Sequence, residues 1–266
     1  MKPLKSQKSC SNALVLLTRD PLKDARQKRL TKNAHSQLVV YRYFLQHLFK
    51  TISEAQALSP FDLIIASDAS DLTALQKIND SCEHPLPFDF IAHSGSNFNT
   101  NISSALSSGF SKGYKHVAII GNDCLDLSAS HLIDTFEQLK CGHSVLGNSC
   151  DGGFYLLGLS SFSRSLFDNL SWGTNSVSST LLENLKRARH NIFLLPSLQD
   201  IDNSSDLKRW FQKAHNKTAS LISQLATLLN SLKLPAFISD RSHRNIIPQQ
   251  LEFTHLFQLP PPVAQR

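Results

Sequence analysis

The eleven residues VAIIGNDCLDL (117–127) set two carboxylates, Asp123 and Asp126, directly behind an apolar run that ends on Gly121 and Asn122. Packing does not ask for acids there. In open α/β sheets ligands sit beyond the carboxyl ends of the strands. A carboxylate at that place can ligate Mg²⁺ or Mn²⁺, which are held through one or two such groups together with substrate phosphate oxygens. Asp123 is therefore a candidate metal ligand and catalytic group. Asp126 is a second candidate ligand, with helix capping or a bond to its own backbone as the alternative.

Two further stretches carry chemistry. SCDGGFYLLGL (149–159) sets Asp151 before Gly152 and Gly153 at the mouth of another strand. Paired glycines there admit a tight bend or the close approach of a ligand, although Asp-Gly-Gly is also an ordinary turn. The other stretch is cationic: Arg19, Lys23, Arg26, Lys28, Arg29 and Lys32 follow an apolar segment, where a loop could gather them around one phosphorylated small molecule. All ten glycines lie between Gly95 and Gly173, so residues 17–30, LTRDPLKDARQKRL, contain none. A P-loop or dinucleotide turn needs glycines at that point for its backbone N–H groups to approach phosphate. Phosphate held here must be held by Arg and Lys side chains.

The elements that would position these groups follow an alternating pattern. Short apolar, β-branched segments alternate with longer stretches of helical period, which predicts a mostly parallel sheet flanked by helices in three α/β/α layers. Strands are expected at 13–18, 61–67, 88–93 and 116–120, then from HSVLG, FYLLGL and NIFLL (191–195). Leu38, Tyr41, Leu45, Leu48 and Ile52 mark one helix face; Phe98, Ile102, Ala105 and Gly109 mark another. Further helices are expected near 70–79, from Ser128 to about Lys140, from Ser176 to about Arg189, and from a start signal at Asn203 with Asp206 in the first turn. The boundaries read as a basic segment 1–12, the main domain 13–210, a leucine-rich helix 211–234 packed on it, and an irregular tail 235–266 ending QLPPPVAQR.

Bulk properties narrow the classes. A chain of 266 residues buries a full core, and apolar runs of about five residues are far too short to span a membrane. ALVLL is too short for a secretory h-region, so a cytoplasmic protein is expected. Five scattered cysteines suggest neither disulfides nor zinc, and Cys141, His143 and Cys150 read as strand and turn residues. Net charge is +6, but residues 1–50 hold eleven Lys and Arg against Asp20 and Asp24, leaving −3 for the remainder. Nucleic-acid binding is one reading of such an excess. A small phosphorylated ligand and a merely solvated face are the others, and no nucleic-acid partner is expected.

Taken in order, GNDCLDL, SVLGNSCDGGFYLLGL, LSWGTNSVSSTLL and LPSLQDIDNSSDL resemble the bacterial DUF2064 family, GT-A-like glycosyltransferases related to nucleotide-diphospho-sugar transferases. The resemblance covers roughly residues 13–210. It implies a three-layer fold in which Asp123 holds a divalent metal on a nucleotide diphosphate. It also matches Asp151, Gly152 and Gly153 to an Asp-Gly-Gly-Tyr motif, Trp172 and Thr174 to a Trp-Ser-Thr element, and Asp200, Asp202 and Asp206 to a late acidic element. In the first loop Arg19, Pro21, Arg29 and Leu30 fit, whereas Asp24 stands for Gly and Gln27 for Lys, with Lys28 next to it. The stretch HSGSNFNTN (93–101) departs further, with Asn97, Asn99 and Asn101 where Asp, Gly and Arg are usual.

The resemblance leads to a metal-assisted glycosyltransferase with a nucleotide-sugar donor. Asp123 and Asp151 would be its catalytic residues; Arg19, Lys28, Arg29, Gly152, Gly153, Trp172 and Thr174 would bind substrate, with Asp123 and Asp126 on Mg²⁺ or Mn²⁺. The alternatives are a nucleotidyltransferase acting on a phosphorylated small molecule, and a degenerate module of the same fold that binds a ligand or partner without catalysis.

Overall fold

The computed structural model describes residues 10–69, 72–92, 97–213 and 219–234. The expected basic segment up to residue 9, residues 93–96 and the tail from residue 235 lie outside them. β1 (Asn12–Thr18), β2 (Asp62–Ser67), β3 (Phe88–Ala92), β4 (His116–Ile120), β5 (His143–Ser149), β6 (Phe154–Leu159) and β7 (Asn191–Leu198) form one sheet in the order β3-β2-β1-β4-β6-β5-β7. All neighbours are parallel except β6, which runs antiparallel to both β4 and β5. These are the expected strands, with β7 continuing to Leu198.

β1 and β2 are buried almost throughout, as central parallel strands covered on both faces must be. On one face Val15, Ile64, Val117 and Leu157 pack against Ile102 and Leu106 of α4 (Phe98–Ser111) and Leu181 of α6 (Val177–Arg187). On the other lie α2 (Ala34–Leu58) and α5 (Ala129–Lys140), with α3 (Thr73–Asp80) against α2. The Phe61 and Phe136 rings stack there at 5.0 Å. The three layers are those the alternating pattern predicts. The α2 stripe is slightly rotated from expectation, since Val39 and Val40 are buried while Leu38 is half-buried.

The glycine-free stretch after β1 is more ordered than a loop. It contains α1 (Pro21–Gln27), capped by Asp20, whose carboxylate accepts from the Leu22 and Lys23 N–H groups, with Pro21 at the first helical position. Asp24 turns inward. Its Oδ2 accepts from Tyr41 Oη at 2.6 Å and from Asn122 Nδ2 at 2.9 Å, and Asn122 Nδ2 also lies 2.9 Å from Thr18 Oγ1. This polar knot ties α1 to α2 and to the ends of β1 and β4. Burial, and then the negative charge of Asp24, push the Tyr41 hydroxyl well above its ordinary pKa, so it stays a donor.

The chain divides into two compact units, Met1–Trp210 and Phe211–Arg266. The sheet belongs to the first. In the second, α8 (Ala219–Ser231) buries Ile222, Leu225 and Leu229. Among the described residues no helix is long and apolar enough to cross a membrane. Tyr41→Phe removes a donor to the buried Asp24 carboxylate and should lower stability by about 1–3 kcal/mol. Chemical unfolding, with the midpoint falling at unchanged slope, checks this.

Candidate active site

The winding of the sheet reverses between β1 and β4: β2 and β3 extend to one side, β6, β5 and β7 to the other. Connections leaving such neighbouring strands in opposite directions open a crevice at their C-terminal ends. Two cavities lie there. The first, about 510 Å³, is bordered by Thr18, Arg19, Lys28, Asn101, Asp123 and Asp202. The second, about 420 Å³, is bordered by Asp151, Phe154, Trp172, Thr174 and Asp200. They share Leu17, Phe98, Gly121, Asp123 and Asp202 along their boundary.

Gly121 explains how the acid comes to lie at the strand end. A Cβ there would stand 2.8 Å from Asp123 Oδ1, so the carboxylate folds back over Gly121 and a side chain at that position would push it aside. The Asp123 carbonyl accepts from the Ile201 N–H at 2.9 Å, joining this turn to the segment after β7. Between the two segments sits Lys28, only 5% exposed. Its ammonium donates to Asp202 Oδ1 at 2.9 Å, to Asp123 Oδ2 at 3.3 Å and to the Ile201 carbonyl at 3.3 Å. Burial alone would lower the Lys28 pKa, but Asp123, Asp202 and Asp24 outweigh it and hold the group above its ordinary value. The cleft therefore contains a fixed positive charge.

Asp151 is locked into its turn by Ser149 Oγ at 2.6 Å and the Gly153 N–H at 2.9 Å, both donating to Oδ1. Gly152 has φ +95°, and a Cβ on it would fall 2.2 Å from the Asn175 carbonyl oxygen. Its own carbonyl accepts from the Ser178 N–H at 2.9 Å, fastening the turn to the start of α6. Gly152 thus shapes the site without bordering it. Phe98 meets Trp172 edge-on at 4.7 Å, and Phe154 lies 5.9 Å from the same ring, making an aromatic wall.

Asp123, Asp151, Arg19, Lys28, Gly153, Trp172 and Thr174 all border one cavity or the other. Gly152, as described, Arg29 and Asp126 do not. Arg29 is exposed in a left-handed conformation, φ 38°, just past α1, and borders neither cavity. Asp126 also borders neither; its Oδ1 accepts from Trp210 Nε1 at 2.8 Å, which ties the turn after β4 to α7 (Ser204–Gln212). Asp206 serves the start of α7, where Oδ2 accepts from the Asp202 and Asn203 N–H groups at 3.1 Å. Asn97 caps α4 in a reciprocal pair with Thr100, and Asn101 borders the first cavity.

In the sequence Asp200 and Asp202 stand out only as part of the family-like acidic element; the structure adds both to the site. Asp202 borders both cavities and Asp200 the second. Burial, and then the charge of Asp123, push the Asp200 carboxyl up to about 7, while hydrogen bonds from Ser149 and Cys124 act in the opposite direction. Cys124 Sγ lies 3.3 Å from Asp200 Oδ1, and burial followed by the Asp200 charge raises its thiol well above the usual range.

Among the described residues no group of three or more His, Cys, Asp or Glu side chains is arranged to hold a metal by itself. The Asp123 and Asp202 pair still suits Mg²⁺ or Mn²⁺, which take one or two carboxylates plus substrate phosphate oxygens. Each acid gives one oxygen to Lys28, leaving the second for a cation.

The fold is a mixed α/β architecture of the nucleotide-diphospho-sugar transferase kind. The family model DUF2064, described as "Uncharacterized protein conserved in bacteria", matches residues 51–174. The resemblance drawn from the motifs holds over that segment, which includes Asp123, Asp151 and Trp172 but neither the Arg19–Arg29 stretch nor Asp200–Asp206. Among solved structures, a candidate nucleotide-diphospho-sugar transferase from Desulfovibrio desulfuricans G20 matches with TM-score 0.69 and 22% identity over 83% of this chain and 97% of its own. That likeness establishes the fold. Weaker matches include 4-diphosphocytidyl-2C-methyl-D-erythritol synthase from Anaerococcus prevotii DSM 20548 (TM-score 0.48, 10% identity, 82% and 98% coverage). Another is Rv0371C in complex with manganese from Mycobacterium tuberculosis H37Rv (0.43, 12%, 76% and 98%). No curated protein matches the sequence.

The raised Asp200 pKa has a stability consequence. An acid whose folded-state value lies near 7, against about 3.9 when unfolded, favours folding in its protonated form, so the penalty for ionising it grows between pH 4 and 7. Asp200→Asn should therefore stabilise the protein at pH 8 by roughly 2–4 kcal/mol, at about 1.4 kcal/mol per unit, and by nothing at pH 4. Unfolding midpoints at the two pH values measure the difference.

Proposed function

We propose that this protein transfers a glycosyl group from a nucleotide-sugar donor whose diphosphate lies in the first cavity. The observation behind this reading is the buried, permanently charged Lys28, set beside Arg19 and against Asp123 and Asp202 at the switch point of the sheet. Asp123 and Asp202 would hold Mg²⁺ or Mn²⁺, which when bound neutralises charge on a departing diphosphate.

The chain's own groups supply the rest. Lys28 and Arg19 attract the diphosphate and offset its charge as it leaves, Lys28 at no cost in reorganisation because it is already fixed. Asp151, held at Oδ1 by Ser149 and Gly153, presents its carboxylate to the second cavity, where it orients an acceptor hydroxyl or takes its proton. Phe154 and Trp172 keep one wall apolar and limit competing water. The nucleotidyltransferase alternative has no glycine-rich first turn to support it. A non-catalytic ligand-binding module is the reading with an observation behind it, since Lys28 occupies one oxygen of each candidate metal ligand.

Titration with nucleoside diphosphates, with and without Mn²⁺, separates the two readings. A site at a hundredfold excess over Kd stabilises by about 2.7 kcal/mol, which raises Tm by roughly 5–10 °C for a domain of this size. Under the transferase reading that shift is Mn²⁺-dependent and is lost in Asp123→Ala, whose own Tm stays close to the parent's. A shift indifferent to Mn²⁺ supports the binding module, and no shift with any nucleotide contradicts both.

A further inference from the structure

The stretch from Arg19 to Lys32 carries more positive charge than the cleft uses. Lys28 turns inward, but Arg19, Lys23, Arg26, Arg29 and Lys32 are all exposed. Arg19 bonds to the Gln27 carboxamide, and among the described residues none of the five cations forms a salt bridge. Elsewhere in the first unit several exposed cations are matched: Lys50, Lys140 and Arg187 pair with Glu54, Glu137 and Glu183 three or four residues away, and Lys112 pairs with Asp89. The acids of the stretch are committed. Asp24 is buried in the knot with Tyr41 and Asn122. Asp20 caps α1, and its N–H donates to Asp68, which sets both acids at the N-terminal end of the helix.

Helical geometry decides which side chains point out. α1 buries Pro21, Asp24 and Ala25, and Lys28 follows on the same side, so Leu22, Lys23 and Arg26 face away from the sheet. Arg29 then takes its left-handed conformation, uncommon for a residue with a side chain, and stays outside. Leu22 is 48% exposed, an apolar side chain set among these cations. Clustered Lys and Arg on a helix are drawn to anionic headgroups, and a leucine beside them gains by entering the boundary between headgroups and acyl chains. A nucleic-acid strand would answer the charge but not Leu22, and residues 19–40 contain no Phe, Tyr or Trp on which bases could stack.

We infer that the outer face of α1, together with Arg29 and Lys32, docks on an anionic lipid surface, with Leu22 entering the headgroup layer. This is peripheral attachment, since among the described residues no helix is long and apolar enough to cross a membrane. Arg19 and Gln27 of the same stretch border the first cavity, so docking holds that cavity beside the headgroups. The inference stands apart from the transferase reading, because it uses the outward side chains and none that the cleft employs.

Co-sedimentation of the full chain with large vesicles tests this, using phosphatidylcholine alone or mixed two to one with phosphatidylglycerol. The parent protein should partition onto the mixed vesicles at least tenfold more strongly than onto the neutral ones, and the preference should weaken as salt rises. Each Lys or Arg at an anionic surface contributes about fivefold. The Lys23→Gln/Arg26→Gln/Lys32→Gln variant should therefore lose about tenfold or more, and Leu22→Ala roughly threefold. None of these residues borders a cavity, so Tm and its shift with nucleotide should match the parent's in every variant. Equal partitioning onto the two vesicles, or undiminished partitioning of the triple variant, would overturn the proposal. Vesicle binding unmoved by Leu22→Ala, with a labelled single-stranded RNA that binds the parent and is lost by the triple variant, would assign the patch to nucleic acid and overturn it too.

Discussion

The cleft is organised around one ion cluster, the Lys28 ammonium between Asp123, Asp202 and the Ile201 carbonyl. An ammonium this deeply buried persists as a cation only where partners compensate for lost hydration. Here two carboxylates and a carbonyl do so, and Asp24 adds its field from below. The consequence is geometric as well as electrostatic. α1, the turn after β4 and the segment after β7 come from distant parts of the chain, and one side chain holds all three.

Other contacts make that arrangement rigid. The Tyr41–Asp24–Asn122 knot fixes α1 on the sheet, so Lys28, directly after the helix, is delivered inward. The Ile201 N–H bond to the Asp123 carbonyl sets the spacing of the two acids independently of their charges. On the far side Gly152, packed on Asn175, fastens the Asp151 turn to the start of α6. The antiparallel β6 is what brings that turn, at its N-terminal end, to the same edge as the C-terminal ends of the parallel strands. A chamber bordered by Arg19 and Lys28 together with Asp24, Asp123 and Asp202, and an acidic, aromatic chamber, then meet at Asp123.

Much of this was legible because its signals are local. Buried parallel strands read as apolar runs, α2 and α4 as periodic faces, and Asp123 as an acid at a strand end. What was not legible depends on pairings across the chain. α1 has few apolar residues and owes its place to Asp24 meeting Tyr41 and Asn122, which the local sequence does not announce. Lys28 and Arg29 are adjacent cations, and only the point where α1 ends decides that the first turns in and the second out. Asp126 resembles a ligand until Trp210, 84 residues on, supplies its partner. Of the asparagines in residues 93–101, Asn97 finds local work as a helix cap. In each case the residue type allowed two roles, and a contact or chain turn visible only in the fold selected one.

The most direct test of the account is a double-mutant cycle on unfolding free energy, combining Lys28→Met with Asp123→Asn. If the buried ammonium holds the cleft together, each single substitution destabilises. The double variant then loses less than the two combined, with a coupling of about 1 kcal/mol or more, within the range seen for contacting charged groups. Additive effects, with coupling near zero, would mean that Lys28 and Asp123 are neighbours without being partners and would contradict the account.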